Sequence, residues 1–312
     1  MFTLNERRSS SFLHVALREL NTTCLKSDMK FHPPKSVARL YRGISSPLRI
    51  LPDFLIIGTQ RGGTTSLYNY LVERPGVGPA FVKELHFFDK KFHKGPLWYR
   101  AHFPLSIQKH LFQSTQKQAY VTGEASAYYI FHPHAPKRVA KILPNVKLII
   151  LLRNPIDRAY SQYNFEVELG RETLSFEDAL NYEEKRITKE REKILADERY
   201  VSFDHSRYSY LARGIYVDQL QTWMSFFPRE QFLILKSEDF YTDPATVLGQ
   251  VLEFLNLPTL ELQERKKEYK QYNYNNTPYP KMDAGTRKHL IEYFAPHNLR
   301  LYDFLGINFG WE

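Results

Sequence analysis

A bend rich in glycine and threonine, Gly58-Thr-Gln-Arg-Gly-Gly-Thr-Thr65, limits the possible folds of this chain more than any other segment. It follows Asp53-Phe-Leu-Ile-Ile-Gly58, an apolar run of strand-forming residues, and precedes a helical pattern of apolar residues that continues to Leu71. A strand, a tight turn and a helix in this order predict an α/β unit in which the helix packs against the strand.

Two later segments repeat this order of strand, loop and helix. The apolar run Lys147-Leu-Ile-Ile-Leu-Leu152 leads into Arg153-Asn-Pro155 and a helix, and Gln231-Phe-Leu-Ile-Leu235 leads into a helix that Pro244 opens. Strands that alternate with helices predict an α/β fold, with a parallel sheet flanked by helices. Ligands of such sheets bind at the carboxyl ends of the strands, where the bend lies.

The bend has the chemistry of a phosphate site. Backbone N–H groups at the start of a helix have no partner within the helix, and the helix dipole adds positive charge there. Gly62 and Gly63 let the backbone approach an anion, Thr64 and Thr65 offer hydroxyl groups, and Arg61 supplies a fixed charge.

The spacing of Gly58 and Gly63 resembles the nucleoside-triphosphatase loop GxxxxGK[ST], but Thr64 stands where that motif needs lysine. The cation lies earlier, at Arg61. This arrangement disfavours a phosphoryl-transferring kinase. It favours a nucleotide with a single 5′-phosphate that carries a short transferable group.

A second anion site is predicted after the strand that ends at Leu152. Arg153 follows this strand directly, and Ser161 lies two helical turns further along the chain. A cation at a strand end and a hydroxyl group on the next helix can converge on one further phosphate. An arginine after a strand is common, so this pair indicates a phosphate site only in combination with the bend that begins at Gly58.

Together these segments resemble the sulfotransferases that use 3′-phosphoadenosine 5′-phosphosulfate. The most similar branch contains the heparan sulfate and other glycan sulfotransferases and their bacterial relatives. The resemblance extends from Asp53 to Trp311 and rests on three segments. These are Thr59–Leu67, which is similar to the 5′-phosphosulfate loop, Leu151–Ser161, which is similar to the 3′-phosphate motif, and Lys83–Asp89 with the following Trp98-Tyr99.

The resemblance implies a P-loop-like nucleotide-binding sulfotransferase fold and a role for each matching residue. The 5′-phosphosulfate contacts would come from Arg61, Gly62, Gly63, Thr64 and Thr65, with Arg61 standing where many members have lysine. Arg153 and Ser161 would hold the 3′-phosphate. The later cofactor loop of the heparan enzymes is not recognisable in Asn273–Pro280. The product would be adenosine 3′,5′-bisphosphate.

Sulfuryl transfer needs a base for the acceptor proton and a cation for the leaving phosphate. Arg61 would supply the cation, and Glu84 matches the position of the family's catalytic glutamate. We expect the aromatic residues after Glu84 to raise the pKa of its carboxyl group and Lys83 to oppose that rise. His86 is the alternative base, and Glu124 is a further carboxylate that could line the cleft.

Charge is concentrated at the N-terminus. The chain has a net charge of +9, and residues 1–50 contain nine Lys and Arg against three Asp and Glu, a balance of +6. We therefore expect a flexible basic arm over residues 1–50 and a sulfotransferase domain over residues 51–312. The excess left for the domain does not indicate a nucleic-acid groove, so no nucleic acid partner is expected.

The single cysteine, Cys24, cannot form an intramolecular disulfide, and no Cys/His spacing resembles a metal site. Apolar runs such as Leu148 to Leu152 are strand-sized, far below the roughly 20 residues that span a bilayer. The N-terminus lacks the continuous apolar stretch of a signal peptide. These features predict a cytoplasmic, metal-independent enzyme without a transmembrane segment.

Several alternatives stay open at this level. A kinase would require Mg²⁺ ligands, a non-catalytic basic module would bind anionic glycan, membrane or nucleic acid through residues 1–50, and an inactive family member would bind nucleotide without turnover. The acceptor is a glycan or a hydroxylated small molecule. Its selection would depend on cleft walls at Lys90–Phe103 and Glu166–Arg207, which carry no readable pattern.

Overall fold

The computed structural model describes residues 35–259, 269, 272 and 279–311. Residues 1–34 of the predicted arm, with Cys24, and residues 273–278 of the unrecognised loop lie outside these ranges. The chain divides after Arg42, and the unit Gly43–Glu312 contains all the strands named below. The boundary that the sequence places after residue 50 stays a prediction.

The described residues form a five-stranded parallel sheet, which confirms the predicted fold class. The order across the sheet is β2-β3-β1-β4-β5. Three of these strands, β1, β4 and β5, fall within one residue of the predicted apolar runs. The strands are β1 (Phe54–Gly58), β2 (Val77–Pro79), β3 (Val121–Ala125), β4 (Lys147–Leu152) and β5 (Phe232–Lys236).

Helices connect the strands and cover both faces of the sheet. In chain order they are α1 (Lys35–Ile44), α2 (Thr64–Val72), α3 (Gly95–Arg100), α4 (Ser106–Gln116), α5 (Ala135–Ile142), α6 (Pro155–Glu168), α7 (Phe176–Ala196), α8 (Phe203–Arg207), α9 (Tyr216–Met224), α10 (Ser237–Thr242), α11 (Pro244–Phe254) and α12 (Ala284–Leu305). Helix α6 shows why these bounds arise: the Asn154 side chain accepts the N–H of Ile156 at 3.0 Å, and Pro155 takes the first helical position.

The core lies on both sides of the sheet. Leu55 and Ile57 of β1 pack into one apolar cluster with Tyr99, whereas Phe54 and Ile56 pack into a second cluster on the opposite face. Because both faces are covered, the central strands have no polar alternation, which explains their continuous apolar runs.

The strand order places the predicted phosphate motifs side by side. From β1 the chain crosses to β2 at one edge, and from β4 it crosses to β5 at the other edge. Since β1 and β4 are neighbours, the loops that leave them diverge and open a crevice at their carboxyl ends. The Gly58–Thr65 bend and Arg153 both lie at this crevice.

Candidate active site

The bend after β1 requires glycine at two adjacent positions. Gly63 precedes α2 with a φ of 92°, a left-handed conformation that favours glycine. A Cβ atom at Gly62 would lie 2.8 Å from the carbonyl oxygen of Leu151 and 2.9 Å from that of Thr59. The backbone is therefore packed tightly against β4. The first N–H groups of α2 have no partner within the helix.

The hydroxyl groups of Thr64 and Thr65 lie at the start of α2, and Thr64 is buried. The Lys83 ammonium group donates a hydrogen bond to Oγ1 of Thr65. Burial lowers the pKa of Lys83, although the charge of Glu84 opposes this shift. The sequence did not identify Lys83 as a residue of the phosphate site, because it lies 18 positions beyond Thr65 in the chain.

Arg61 joins the two predicted phosphate pockets. Its Nε donates to Oγ of Ser161 at 3.0 Å, and its guanidinium group lies over the ring of Phe165 at 4.8 Å. Arg153 in turn donates from its guanidinium group to the carbonyl oxygen of Arg61 at 2.9 Å. Burial, followed by the charge of Arg153, lowers the pKa of Arg61. The structure thus gathers Arg61, Arg153 and Ser161 at one place, as predicted.

Helix α10 supports the bend through side-chain hydrogen bonds. Ser237 donates to the carbonyl oxygen of Gly62 at 2.8 Å, and the Tyr241 hydroxyl donates to that of Arg61 at 3.2 Å. Oε1 of Glu238 accepts the N–H of Asn154 at 2.8 Å. One short segment therefore fixes both the bend and the cap of α6.

A cavity of about 330 Å³ opens beside Arg153. Its walls carry two further cations and two tyrosines, a composition suited to an anionic aromatic ligand. The lining residues are Arg153, Asp157, Tyr160, Tyr279, Pro280, Lys281, Met282 and Arg287. Arg287 forms an ion pair with Asp157 at 2.8 Å.

The predicted base lies in a loop between β2 and α3. Glu84 and His86 both have left-handed backbone conformations, with φ of 53° and 52°. The Glu84 side chain is 46% exposed, so it can meet an acceptor from solution. Its Oε2 lies 3.8 Å from Nε2 of His86, and Nδ1 of His86 lies 2.6 Å from Oδ2 of Asp89. The three side chains form a continuous chain of acid, imidazole and acid.

The charge states in this loop differ from the expectation. The interaction with His86, at 3.8 Å, lowers the pKa of Glu84, so the expected upward shift is wrong. Burial works against the charge of His86, but its hydrogen bond with Asp89 and its ion pair with Glu84 outweigh burial and raise its pKa to about 9. At neutral pH Glu84 is therefore an ionised proton acceptor, and His86 is a cation that cannot accept a proton.

Glu124, at the end of β3, is a buried acceptor. Its Oε1 accepts from the hydroxyl groups of Tyr99 at 2.7 Å and Tyr129 at 3.1 Å, and its Oε2 accepts from Ser126 at 2.9 Å. Burial raises the pKa of Glu124 to about 7, although these three bonds oppose the rise. Only 1% of Glu124 is exposed, so it does not line the cleft as the sequence had suggested.

The partners of Glu124 also bond to the backbone of the loop Lys83–Asp89, which carries Glu84 and is called the base loop below. The Tyr129 hydroxyl accepts the N–H of Phe87 at 2.8 Å, and Oγ of Ser126 accepts the N–H of His86 at 3.3 Å. The backbone beside Glu84 is therefore anchored to the sheet through one buried carboxyl group. No local sequence pattern could have signalled this, since the bonded residues come from three separate segments.

The fold, with its two predicted phosphate pockets side by side, points to a class of protein that comparison with known sequences identifies. The model of the sulfotransferase domain family matches residues 51–297, so the chain belongs to this family and is a sulfotransferase. The predicted resemblance is thus confirmed.

Three relatives show how this chain sits among known proteins. The membrane-associated sulfotransferase kil1 of Dictyostelium discoideum is 27% identical and covers 86% of this chain and 68% of its own length. The human heparan sulfate glucosamine 3-O-sulfotransferase 3B1 is 28% identical and covers 89% of this chain and 69% of its own length. A solved sulfotransferase structure from Alicyclobacillus acidocaldarius is 27% identical, with a TM-score of 0.61, and covers 84% of this chain and 99% of its own.

Two structural findings concern features that the sequence led us to expect to be absent. Within residues 35–259 and 279–311, no helix is long and apolar enough to cross a bilayer. Among the described residues, no group of three or more His, Cys, Asp or Glu side chains is placed to hold a metal ion. Metal independence, the cytoplasmic setting and the absence of a nucleic acid partner stay predictions.

Proposed function

We propose that this sulfotransferase takes its sulfuryl group from 3′-phosphoadenosine 5′-phosphosulfate and delivers it to a hydroxyl group or amine of a glycan. The contacts of Arg61 carry the proposal. The half-buried guanidinium group of Arg61 reaches Ser161, and the carbonyl oxygen of Arg61 accepts from Arg153, so this residue joins the two proposed anion sites at one crevice. A nucleotide with phosphates at both ends of its ribose fits two such sites.

The bend suits the 5′ end of this donor. The N–H groups at the start of α2, the hydroxyl groups of Thr64 and Thr65, and the charges of Arg61 and Lys83 all stabilise a phosphate that gains negative charge. The cavity beside Arg153 would receive the remainder of the nucleotide. This division assigns the leaving group to the bend and recognition of the 3′-phosphate to Arg153 and Ser161.

Glu84 would then act as the general base. In the proposed step the acceptor oxygen or nitrogen forms a bond to sulfur, the bond from sulfur to the phosphate oxygen breaks, and the acceptor proton moves to Glu84. Adenosine 3′,5′-bisphosphate leaves with the electron pair. The lowered pKa keeps Glu84 ionised before the step, and the protonated His86 orients its carboxylate.

A glycan acceptor is supported by the name of the human relative, which acts on heparan sulfate glucosamine. The surroundings of Glu84 agree with a glycan. Lys91 and Lys94 lie over the ring of Trp98 at 5.8 and 5.0 Å, which presents an aromatic surface with positive charge beside the base loop.

A donor with a ³⁵S-labelled sulfuryl group tests this function. We expect label to move to a heparan-type glycan, with one adenosine 3′,5′-bisphosphate released per sulfate transferred. Neutral sugars, phenols and amines form the comparison set. Transfer of the γ-phosphate from ATP, or label that stays on the nucleotide with every acceptor, would contradict the proposal.

A further inference from the structure

Helix α1 has an apolar stripe that faces solvent. Val37, Leu40, Tyr41 and Ile44 follow the spacing i, i+3, i+4 and i+7, so they lie on one face of the helix. Their exposed fractions are 53%, 66%, 56% and 75%. An isolated exposed leucine is ordinary, but four large apolar side chains along one helix of ten residues form a patch.

This patch stands out from the rest of the described surface. Among the described residues, the three most exposed large apolar side chains are Ile44 at 75%, Leu40 at 66% and Leu48 at 65%. All three fall within nine consecutive residues at the N-terminal end of the described chain. Keeping such a surface in water is unfavourable, so it indicates a partner with an apolar region.

The opposite face of α1 is basic. Arg39 and Arg42 lie on it by helical spacing, and the helix sequence KSVARLYRGI contains no acidic residue. The flanking chain strengthens this charge, since residues 1–50 have a balance of +6. The partner must therefore offer negative charge beside an apolar region.

An anionic membrane surface combines these two properties. A helix with apolar side chains on one face and Lys or Arg on the other lies in the plane of the headgroups, where phosphates meet its cations and acyl chains meet its apolar face. An anionic glycan or a nucleic acid would attract the basic face and leave the apolar stripe in water. We propose that α1 docks on an anionic lipid surface through Val37, Leu40, Tyr41 and Ile44.

The chain that follows α1 is firmly tied to the catalytic unit. Arg49 is buried and donates to the carbonyl oxygen of Phe103 at 2.7 Å, and Ser106 donates to that of Leu48 at 2.9 Å. Only Ser45 separates the end of α1 from the helical turn Ser46–Leu48. The proposed lipid contact is therefore close in sequence to the catalytic unit.

Vesicle flotation of the full chain tests the apolar stripe. The probe is vesicles with about 30% phosphatidylserine in phosphatidylcholine, a composition within the anionic range of cytoplasmic leaflets. We expect the wild type to float with these vesicles. The double variant Leu40→Glu, Ile44→Glu should bind at least about tenfold more weakly, because it loses two apolar side chains that would be buried among the lipid acyl chains. Leu299→Glu, at a side chain 62% exposed in α12, is the matched control and should bind like the wild type.

The charge contribution has its own pair of variants. Arg39→Glu should weaken flotation by about fivefold or more, whereas Lys141→Glu, on the exposed side of α5, should leave it unchanged. Vesicles of pure phosphatidylcholine should bind the wild type more weakly than the anionic ones. Unchanged sulfuryl transfer to a water-soluble acceptor shows that each variant is folded.

Three results would overturn the proposal. The wild type could fail to float with anionic vesicles, or the Leu40→Glu, Ile44→Glu variant could float as well as the wild type. A wild type that binds immobilised heparin through Arg39 but ignores vesicles would assign the helix to an anionic glycan instead.

Discussion

The bend after β1 and the loop from Lys83 to Asp89 meet where Lys83 contacts Thr65, yet the fold builds them by different means. The bend is fixed by close packing of Gly62 against the carbonyl oxygens of Thr59 and Leu151, and by side chains of α10 that donate to its own carbonyl oxygens. The loop has two non-glycine residues in left-handed conformations and is held from behind by the partners of Glu124.

This difference assigns separate functions to the bend and to the loop. The bend concentrates cations and N–H groups, which bind the donor and stabilise its leaving phosphate. The loop carries the ionised carboxylate, which serves only the acceptor proton. Binding and turnover should therefore respond to different mutations, and each prediction below tests one side of this separation.

The largest effect is expected at Glu84. Glu84→Gln removes the proton acceptor while keeping the size of the side chain, so turnover should fall by roughly 10²–10⁴-fold. Calorimetry should find the affinity for adenosine 3′,5′-bisphosphate nearly unchanged. Glu253→Gln, at an exposed position of α11, is the control. Wild-type turnover in Glu84→Gln would reassign the base.

A smaller effect is expected at Glu124. Glu124→Gln keeps the shape of the side chain but weakens the bonds from Tyr99, Tyr129 and Ser126, so the base loop should lose its alignment. We expect kcat to fall by about tenfold, the cost of about one hydrogen bond, with donor affinity unchanged. Tyr99→Phe removes one of these bonds and should give a smaller decrease in kcat. A variant that melts earlier but keeps its kcat would limit Glu124 to a structural role.

The pH profile separates His86 from its neighbours. The pKa of His86 is about 9, so its charge is present below that pH and is lost above it. We expect kcat to decrease moderately as the pH rises through about 9, because neutral His86 no longer supports the Glu84 carboxylate. In His86→Asn this decrease of kcat at high pH, the alkaline limb of the profile, should be absent. If the limb persists in His86→Asn and disappears in Lys83→Gln, the titrating group is Lys83.

The smallest effect is expected from metal removal. Sulfuryl transfer by cations and N–H groups needs no divalent ion, so turnover after treatment with EDTA should match the untreated enzyme. Turnover that falls with EDTA and returns with Mg²⁺ would contradict the role assigned to the bend, because the leaving phosphate would then be stabilised by a metal ion.

Much of this arrangement could be predicted from sequence. Strands β1 and β4 follow the apolar runs closely because both faces of the sheet are covered, whereas β2 was missed because Val77-Gly-Pro79 is short and contains residues unfavourable in strands. The convergence of Arg61 with Arg153 and Ser161 followed from two motifs at the ends of strands that turned out to be neighbours.

The rest depends on contacts between distant segments. The bond between Ser237 and Gly62, like that between Glu238 and Asn154, joins residues too far apart in the chain for local patterns to pair them. The pKa of Glu84 also depends on contacts that the sequence pattern does not reveal. The carboxyl group of Glu84 was expected to be shifted upward by aromatic neighbours, but the position of His86, set by Asp89, shifts its pKa downward.

The most direct measurement compares two nucleotides in one variant. Calorimetry on the wild type and Arg153→Ala should use adenosine 3′,5′-bisphosphate, which has both phosphates, and adenosine 5′-monophosphate, which lacks the 3′-phosphate. We predict that Arg153→Ala lowers the affinity for the bisphosphate by about 10- to 100-fold, the range for a charged hydrogen bond. The affinity for the monophosphate should be unchanged. Equal affinity of wild type and variant for the bisphosphate would contradict the assignment of two pockets to one nucleotide.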